Sequence, residues 1–296
     1  MEQGFNYSSR HALTEAPDLS TAIRLSTLNC LHHQLGWSVE ESEARARVEE
    51  TRGIPRGLLN HLEASGWNTA SARILDVGAG QGANLLKLLV RGADAYGVEP
   101  GAEFAALTRW RLVDMGFEPE RLISAPGENL PFPDESFDYA ISMQVLEHVR
   151  DPEPVLRQIF RVLKPGGKCY ISCENYLTFR EPEYRVAWLP LLPKRLGSLY
   201  LKLRGRDPEF FDKYIFYTTY PQIWRVRRRV GFMNQTFEPY LEMVRTPTRA
   251  ARGLRPIAKL LHRLPEPAAN AIVYGLAHTL KSFYSGVKFQ LQKPER

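Results

Sequence analysis

The 296-residue chain is 44% apolar and 24% charged, ordinary globular usage that excludes disorder, collagen and coiled coil as the main state and leaves room for one large domain or two small ones. Its three cysteines (Cys30, Cys169, Cys173) are too few for a disulfide framework and fit a reducing compartment. The net charge of +6 conceals an asymmetry: residues 1–175 hold 17 Lys/Arg against 24 Asp/Glu, and residues 176–296 hold 22 against 9. A basic C-terminal part on an acidic body points to an anionic partner there, such as a membrane surface or a phosphorylated substrate. The opening MEQGFNYSSRH has no basic segment followed by an apolar run. The apolar stretch Pro267 to Leu280 covers 14 residues, short of the roughly 20 that a spanning helix needs. A soluble, cytoplasmic protein is expected, with peripheral membrane contact at most.

Residues 1–70 read as an N-terminal helical cap. Leu19, Ile23, Leu25, Leu28, Leu31 and Leu35 recur at helical spacing, and Ser38-Val-Glu-Glu opens a second helix with a capping signal. His32 and His33 read as ordinary residues of the first helix. From Arg73 short apolar runs alternate with glycine turns and helices. RILDV (73–77) predicts a strand, then a glycine loop and a helix through NLLKLLV; DAYGV (94–98) predicts a second strand, followed by a helix from Ala102 to Met115. RLISA (121–125) and FDYAIS (137–142) are the third and fourth strands. A helix from Pro152 to Leu163 and a fifth strand KCYISC (168–173) follow. Strands alternating with helices imply βαβ units and a doubly wound, mostly parallel α/β sheet over residues 71–175.

Residues 176–296 read as an acceptor-binding C-terminal part. A helix is predicted from Thr218 to Val230, ended by Gly231, then a strand MNQTFEP (233–239), two helices within 245–283 broken by Pro256 and Pro265/Pro267, and a last strand SGVKFQLQ (285–292).

The loop Asp76-Val-Gly78-Ala-Gly80-Gln-Gly82 follows a strand and opens a helix, where glycine lets the backbone turn sharply and approach a ligand. Read as Gly78-x-Gly80-x-x-Ala83 it also matches a dinucleotide fingerprint. Glu99 ends the second strand, 21 residues after Gly78, where a carboxylate can bind the hydroxyls of a ribose. At this point NAD and S-adenosylmethionine both remain open.

Three later segments, Gly127-Glu-Asn-Leu-Pro-Phe-Pro-Asp-Glu-Ser-Phe-Asp-Tyr, Met143-Gln-Val-Leu-Glu-His-Val and Leu163-Lys-Pro-Gly-Gly, follow in order. With the glycine loop, they resemble the class I S-adenosylmethionine-dependent methyltransferases, in the branch (methyltransferase type 11 domain) that includes the ubiquinone and menaquinone biosynthesis enzymes. The resemblance covers residues 70–175. It implies a seven-stranded Rossmann-like methyltransferase fold with S-adenosylmethionine as cofactor. Gly78, Ala79 and Gly80 would pass beneath the methionine part and Asp76 would orient it. Glu99 would bind the ribose, with Pro100 beside the adenine, and Gly127 and Glu128 would line the adenine edge. Pro126 stands where many relatives have Asp, which leaves backbone contacts to the adenine amine. Ser142, Met143 and Gln144 would face the sulfonium.

Methyl transfer to an alcohol needs a positioned nucleophile and a base. His148, just past the fourth strand, is the candidate base, since its ordinary pKa suits proton transfer near neutrality. Tyr176, Arg180, Tyr184 and Arg185 follow the fifth strand and are candidate acceptor-binding residues; Tyr214, Tyr217 and Tyr220 are candidates for a cover. Cys169 and Cys173 lack the further Cys/His ligands of a zinc site, so no metal site is expected. About 45 residues separate the last two strands, and the insertion 241–283 places Arg249, Arg252, Arg255, Lys259 and Arg263 at helical spacing among Leu254, Ile257, Leu260, Leu261 and Leu264. This predicts a basic amphipathic pair of half-helices split by Pro256, suited to an anionic membrane, a phosphorylated acceptor or a lid. No nucleic-acid module is recognisable.

The expected function is methyl transfer to a small molecule, at a hydroxyl of a glycan, lipid-linked or natural-product acceptor. The alternatives are C- or O-methylation of a quinone ring, and a non-catalytic cofactor-binding partner subunit.

Overall fold

The computed structural model describes residues 16–50, 57–235, 241, 244–249, 255–281 and 286–295. Each short apolar run after Arg73 becomes a strand: β1 (Arg73–Val77), β2 (Asp94–Val98), β3 (Leu122–Ile123), β4 (Phe137–Met143) and β5 (Leu163–Glu174). A two-stranded hairpin follows, β6 (Arg180–Glu181) with β7 (Val186–Ala187), and the last strands are β8 (Met233–Asn234) and β9 (Gly286–Gln292). The main sheet has the order β3-β2-β1-β4-β5-β9-β8, parallel through β5 and closed by β9 running antiparallel to both neighbours. The strand order therefore reverses between β1 and β4, and a crevice opens beyond the carboxyl ends of these two strands.

The strands are buried on both faces because helices cover each side. At the N-terminus α1 (Leu19–Leu28), capped by Asp18 accepting the Thr21 amide at 2.8 Å, runs into a π-helical turn (Asn29–Gln34); α2 (Val39–Glu50) and α3 (Gly57–Ala64) follow. The Glu41 amide donates to Ser38 Oγ at 3.1 Å, so the capping signal at Ser38 is realised. Around the core lie α4 (Ala83–Val90), α5 (Ala102–Asp114) and α6 (Pro152–Val162). Helix α4 buries Leu85, Leu86, Leu88 and Leu89, and α6 buries Val155, Leu156, Ile159 and Val162; each such side chain contributes about 1.5–3 kcal/mol. Cys169 and Cys173 are buried core residues of β5, where burial pushes both thiols up.

Beyond β5, α7 (Lys194–Leu203) and α8 (Glu209–Tyr214) form an aromatic lobe with the β6/β7 hairpin, around Tyr176, Tyr184, Trp188 and Phe211. Then α9 (Tyr220–Val230) returns to the sheet, capped by Thr219 and ended by Gly231 at φ +105°. The segment between β8 and β9 contains α10 (Arg255–His262) and α11 (Glu266–Lys281).

Three expectations change. The apolar stripe predicted on the first helix is only part of its buried face: Ile23 and Leu35 are buried and Leu19, Leu28 and Leu31 half-buried, but Leu25 is exposed, and Ala22, Ser26 and Thr27 are buried beside Ile23. The reason is a polar neighbour, because Ser26 donates to Glu103 Oε1 of α5 at 2.8 Å. The third strand shortens to two residues between the 3-10 turn Pro119–Arg121 and Pro126. Pairing of β5 with β4 begins at Leu163, shifts register across the Pro165-Gly166-Gly167 segment and resumes at Lys168. Pro256 is the second described residue of α10, and the half-helix predicted before it falls largely on residues 250–254, outside the described residues. Residues 236–239 of the predicted strand, and Arg252 and Leu254 of the basic stripe, lie outside the described residues.

The cap and the C-terminal part are packed together. Leu35 joins the lobe's core, Trp37 donates from Nε1 to the Glu183 carbonyl at 2.6 Å, and the Arg185 guanidinium stacks 3.6 Å over the Trp37 ring while pairing with Glu41 at 3.0 Å.

Candidate active site

A cleft of about 1140 Å³ opens beyond β1 and β4. Three glycines of its loop adopt positive φ: Gly78 at +74°, Gly80 at +54° and Gly82 at +79°. Two of them use the missing side chain differently. A Cβ on Gly78 would meet Val145 Cγ2 at 2.3 Å, whereas around Gly80 nothing lies within 4 Å, so the backbone there is open to an incoming ligand. Glu99 locks the loop, accepting the Gly80 amide on Oε2 at 2.9 Å and the Gly101 amide on Oε1 at 2.8 Å. Each oxygen keeps a further lone pair, which suits the two hydroxyls of a ribose.

Gly78, Ala79, Gly80, Glu99, Pro100, Gly127, Glu128, Met143 and Gln144 all line the cleft, as does His148. Asp76 and Ser142 do not. Both are buried under the loop and the strand ends, and neither the Asp76 oxygens nor Ser142 Oγ makes a hydrogen bond of ordinary geometry. Strand alternation explains Ser142, since its neighbour Met143 takes the face towards the cleft. Burial, with Glu99 close by, pushes the Asp76 carboxyl up to about 7. Burial also raises Glu99. An acidic floor of this kind fits the cationic methionine part of S-adenosylmethionine better than the phosphates of a dinucleotide.

The carboxyl end of β4 is held in an unusual way. Gln144 has φ +55°, a left-handed conformation that costs a residue with a side chain about 1–2 kcal/mol. It is sustained by its amide on the Ser172 carbonyl at 2.7 Å and its Nε2 on Glu174 Oε1 at 2.6 Å. The 3-10 turn Leu146–His148 then ties this end to the lobe twice. The Phe216 amide donates to the Glu147 carbonyl at 2.7 Å, and His148 Nδ1 lies 3.0 Å from the Tyr214 carbonyl. A carbonyl only accepts, so Nδ1 carries the proton and Nε2 is the basic nitrogen. Burial lowers the His148 pKa, which keeps the ring neutral near pH 7.

The acceptor candidates divide. Tyr214 lines the cleft. Tyr176, Tyr184 and Tyr217 do not: their hydroxyls donate to Glu181 Oε1, the Asp207 carbonyl and the Leu192 carbonyl inside the lobe, so their rings are structural. Arg180 is exposed on β6, and Arg185 is spent on Trp37 and Glu41. Tyr220 packs in the sheet core against Phe289, with ring centroids 5.0 Å apart.

Sequence reasoning missed several lining residues. Asn84 and Phe104, one turn into α4 and α5, could have been found from helix phase. Arg150, Lys213 and Phe216 reach the cleft by tertiary packing alone. It also missed a group that could hold a cation: Glu147, His148 and Glu183 bring one ligand atom each within 4.8 Å of one another, across 36 residues of sequence. The expectation of no metal site overlooked it because Glu183 arrives through the lobe. Burial pushes Glu183 up to about 8 and raises Glu147 well above the usual carboxylate range.

Residues 75–171 match the family model described as a methyltransferase domain. The ubiquinone biosynthesis O-methyltransferase of Pseudomonas fluorescens (strain SBW25) is 34% identical over 152 residues, 50% of this chain and 60% of that protein. This chain thus spans about 60% of the length of the curated relatives it matches. Two solved structures share the fold at low identity. One is the Haemonchus contortus phosphoethanolamine N-methyltransferase 2 complex (TM-score 0.51, 18% identity, 98% of this chain and 61% of that one); the other is a Galdieria sulphuraria protein (TM-score 0.52, 13% identity, 92% and 98%). The strand order, the glycine loop locked by Glu99 and these matches converge: residues 75–171 match a methyltransferase domain, and the fold is that of the class I methyltransferases, whose cofactor is S-adenosylmethionine.

Proposed function

We propose that the chain methylates a hydroxyl oxygen of a small-molecule acceptor, with His148 as the base. The observation behind this reading is the fixed tautomer of His148 at the wall of the cofactor cleft, set by the Tyr214 carbonyl. When bound, S-adenosylmethionine supplies a methyl carbon on a positively charged sulfur, which an oxygen nucleophile takes by in-line displacement. Glu99 binds the ribose hydroxyls, Pro100, Gly127 and Glu128 hold the adenine, and the backbone of Gly78 to Gly80 carries the methionine part. Asp76, behind that loop, offsets its positive charge. Met143 and Gln144 close the cleft beside the reacting centre. Nε2 of His148 accepts the hydroxyl proton, and Tyr214 and Phe216 bound the acceptor. Much of the rate comes from holding the two reactants in line.

The acceptor class we favour is an aromatic, quinone-type hydroxyl, supported by the names of the curated relatives and by the aromatic side chains on the lobe side of the cleft. A second reading, a hydroxyl on an anionic glycan or lipid-linked acceptor, is favoured by Arg150 and Lys213 in the cleft wall and by the basic C-terminal part. On α10 and in the turn after it, Lys259 and Arg263 are exposed beside Ile257, Leu260 and Leu264. The test is release of S-adenosylhomocysteine with phenolic, glycan and lipid-linked acceptors, read with the mass of the methylated product. Turnover of a phenol sustains the first reading, and turnover only of an anionic glycan or lipid sustains the second. Tight cofactor binding with no turnover of any acceptor class would make the chain a non-catalytic partner subunit.

A further inference from the structure

Helix α7 uses only one face to hold itself on the lobe. Gly197 and Leu201 are buried, and a Cβ on Gly197 would come within 2.8 Å of Trp188 and 3.0 Å of Phe211. The other face presents Leu196, Leu199 and Leu203, which are 54%, 54% and 78% exposed and share one helical stripe. Leu189 and Leu191, in the turn that leads into the helix, are exposed as well.

The charges carried by this segment itself are of one sign, and the nearest acidic groups, Asp207, Glu209 and Asp212, belong to the next turn and α8. From Trp188 to Arg206 the chain carries five Lys/Arg and no Asp/Glu. One of the five points inward: Lys194 donates to the Phe211 carbonyl and sits over the Phe211 ring. Arg195, Lys202 and Arg204 are exposed beside the leucines. A ten-residue helix is too short to cross a bilayer, and no helix among the described residues is long and apolar enough to do so. Leucines on one side and cations at their flanks suit a helix lying in the plane of an interface.

We propose that residues 189–206, α7 with the turn before it, dock on the surface of an anionic lipid bilayer. The leucines enter the acyl boundary, and Arg195, Lys202 and Arg204 meet headgroup phosphates. Charge complementarity selects this occupant. A two-fold pair of copies joined through this face would bring cations against cations, whereas an anionic leaflet attracts each of them. The docked face and the wall of the cleft share one lobe, because α8 continues from Phe211 to Asp212, Lys213 and Tyr214 at the cleft. Membrane docking requires neither cofactor nor acceptor, so it is tested independently of the proposed reaction.

The experiment is vesicle flotation of the whole chain, with phosphatidylcholine vesicles containing phosphatidylglycerol and with pure phosphatidylcholine. The wild type floats with the anionic vesicles and stays down with the neutral ones, and about 0.5 M salt, where the Debye length falls to roughly 4 Å, weakens flotation. Leu199→Glu/Leu203→Glu lowers the partition coefficient about tenfold or more. Arg195→Glu/Lys202→Glu lowers it at least about fivefold for each cation. Far-UV circular dichroism and S-adenosylmethionine affinity, unchanged in both variants, show that the fold is intact. Equal flotation on neutral vesicles, or unchanged flotation of the folded leucine variant, overturns the proposal. So does loss of flotation only in Lys259→Glu/Arg263→Glu, which would move docking to α10. A vesicle-free dimer that Leu199→Glu/Leu203→Glu dissociates, with no flotation of the wild type, would assign the face to a second copy.

Discussion

The sheet core and the aromatic lobe reach the same cleft by different means. In the core, one short segment supplies both the fold and the floor of the cleft: Gly78 and Gly80 make the turn and line the cleft, and Glu99 follows a strand while locking that turn. In the lobe these tasks separate. Its tyrosines spend their hydroxyls inside the lobe, and two of its clearest contributions to the site are main-chain atoms, the Tyr214 carbonyl on His148 and the Phe216 amide on Glu147. Aromatic and basic residues near an active site are thus poor indicators of substrate contact until their partners are known.

If this division is right, the largest effect belongs to the residue where the two regions meet. His148→Ala lowers turnover about 10²–10⁴-fold with S-adenosylmethionine affinity unchanged in calorimetry, because the side chain acts on the acceptor's proton. A loss of less than about threefold would make His148 a structural tie between β4 and the lobe.

A lobe substitution acts first on stability. Phe211 is fully buried against Trp188, and Phe211→Ala costs about 3–5 kcal/mol in urea unfolding. Cofactor binding at the core survives in whatever fraction remains folded. Loss of cofactor binding in the folded fraction would show that the two regions are one energetic unit.

The third test compares the pH response of a core carboxyl with its absence. Folding lifts Asp76 from an ordinary 3.8 to about 7. Between about pH 4 and 7 the unfolded chain has released this proton and the folded chain retains it, so stability falls as pH rises through that window. The cofactor-free Asp76→Asn variant lacks this contribution and gains on the wild type between pH 5 and 8, by roughly 2–3 kcal/mol. Glu181 and Glu183 in the lobe, pushed up to about 7 and about 8, have the same sign and are unaltered in the variant. Parallel urea curves at pH 5 and 8 would remove the buried charge from Asp76.

The smallest effect is confined to binding. Glu99→Ala weakens S-adenosylmethionine by about 1.5–3 kcal/mol, the scale of lost charge-assisted hydrogen bonds, and releases the Gly80 amide. Unchanged affinity in a folded variant, read by calorimetry, would take the ribose contact away from Glu99.

Read from the chain alone, RILDV, DAYGV and FDYAIS are strands with near-correct limits, and the glycine loop and Glu99 fall at the cleft, because local sequence dictates these features. Period-2 burial, positive φ and a strand-end carboxylate are properties of a few consecutive residues. The buried face of α1, the Glu147–His148–Glu183 group and the structural fate of Tyr176, Tyr184 and Tyr217 were decided by the tertiary structure. Each depends on which distant segment packs alongside: Glu103 opposite Ser26, the lobe that carries Glu183 to His148, the carbonyls and carboxylate that take the tyrosine hydroxyls. A side chain's hydrogen-bond partner is chosen by packing across the chain, and no spacing within one segment encodes it.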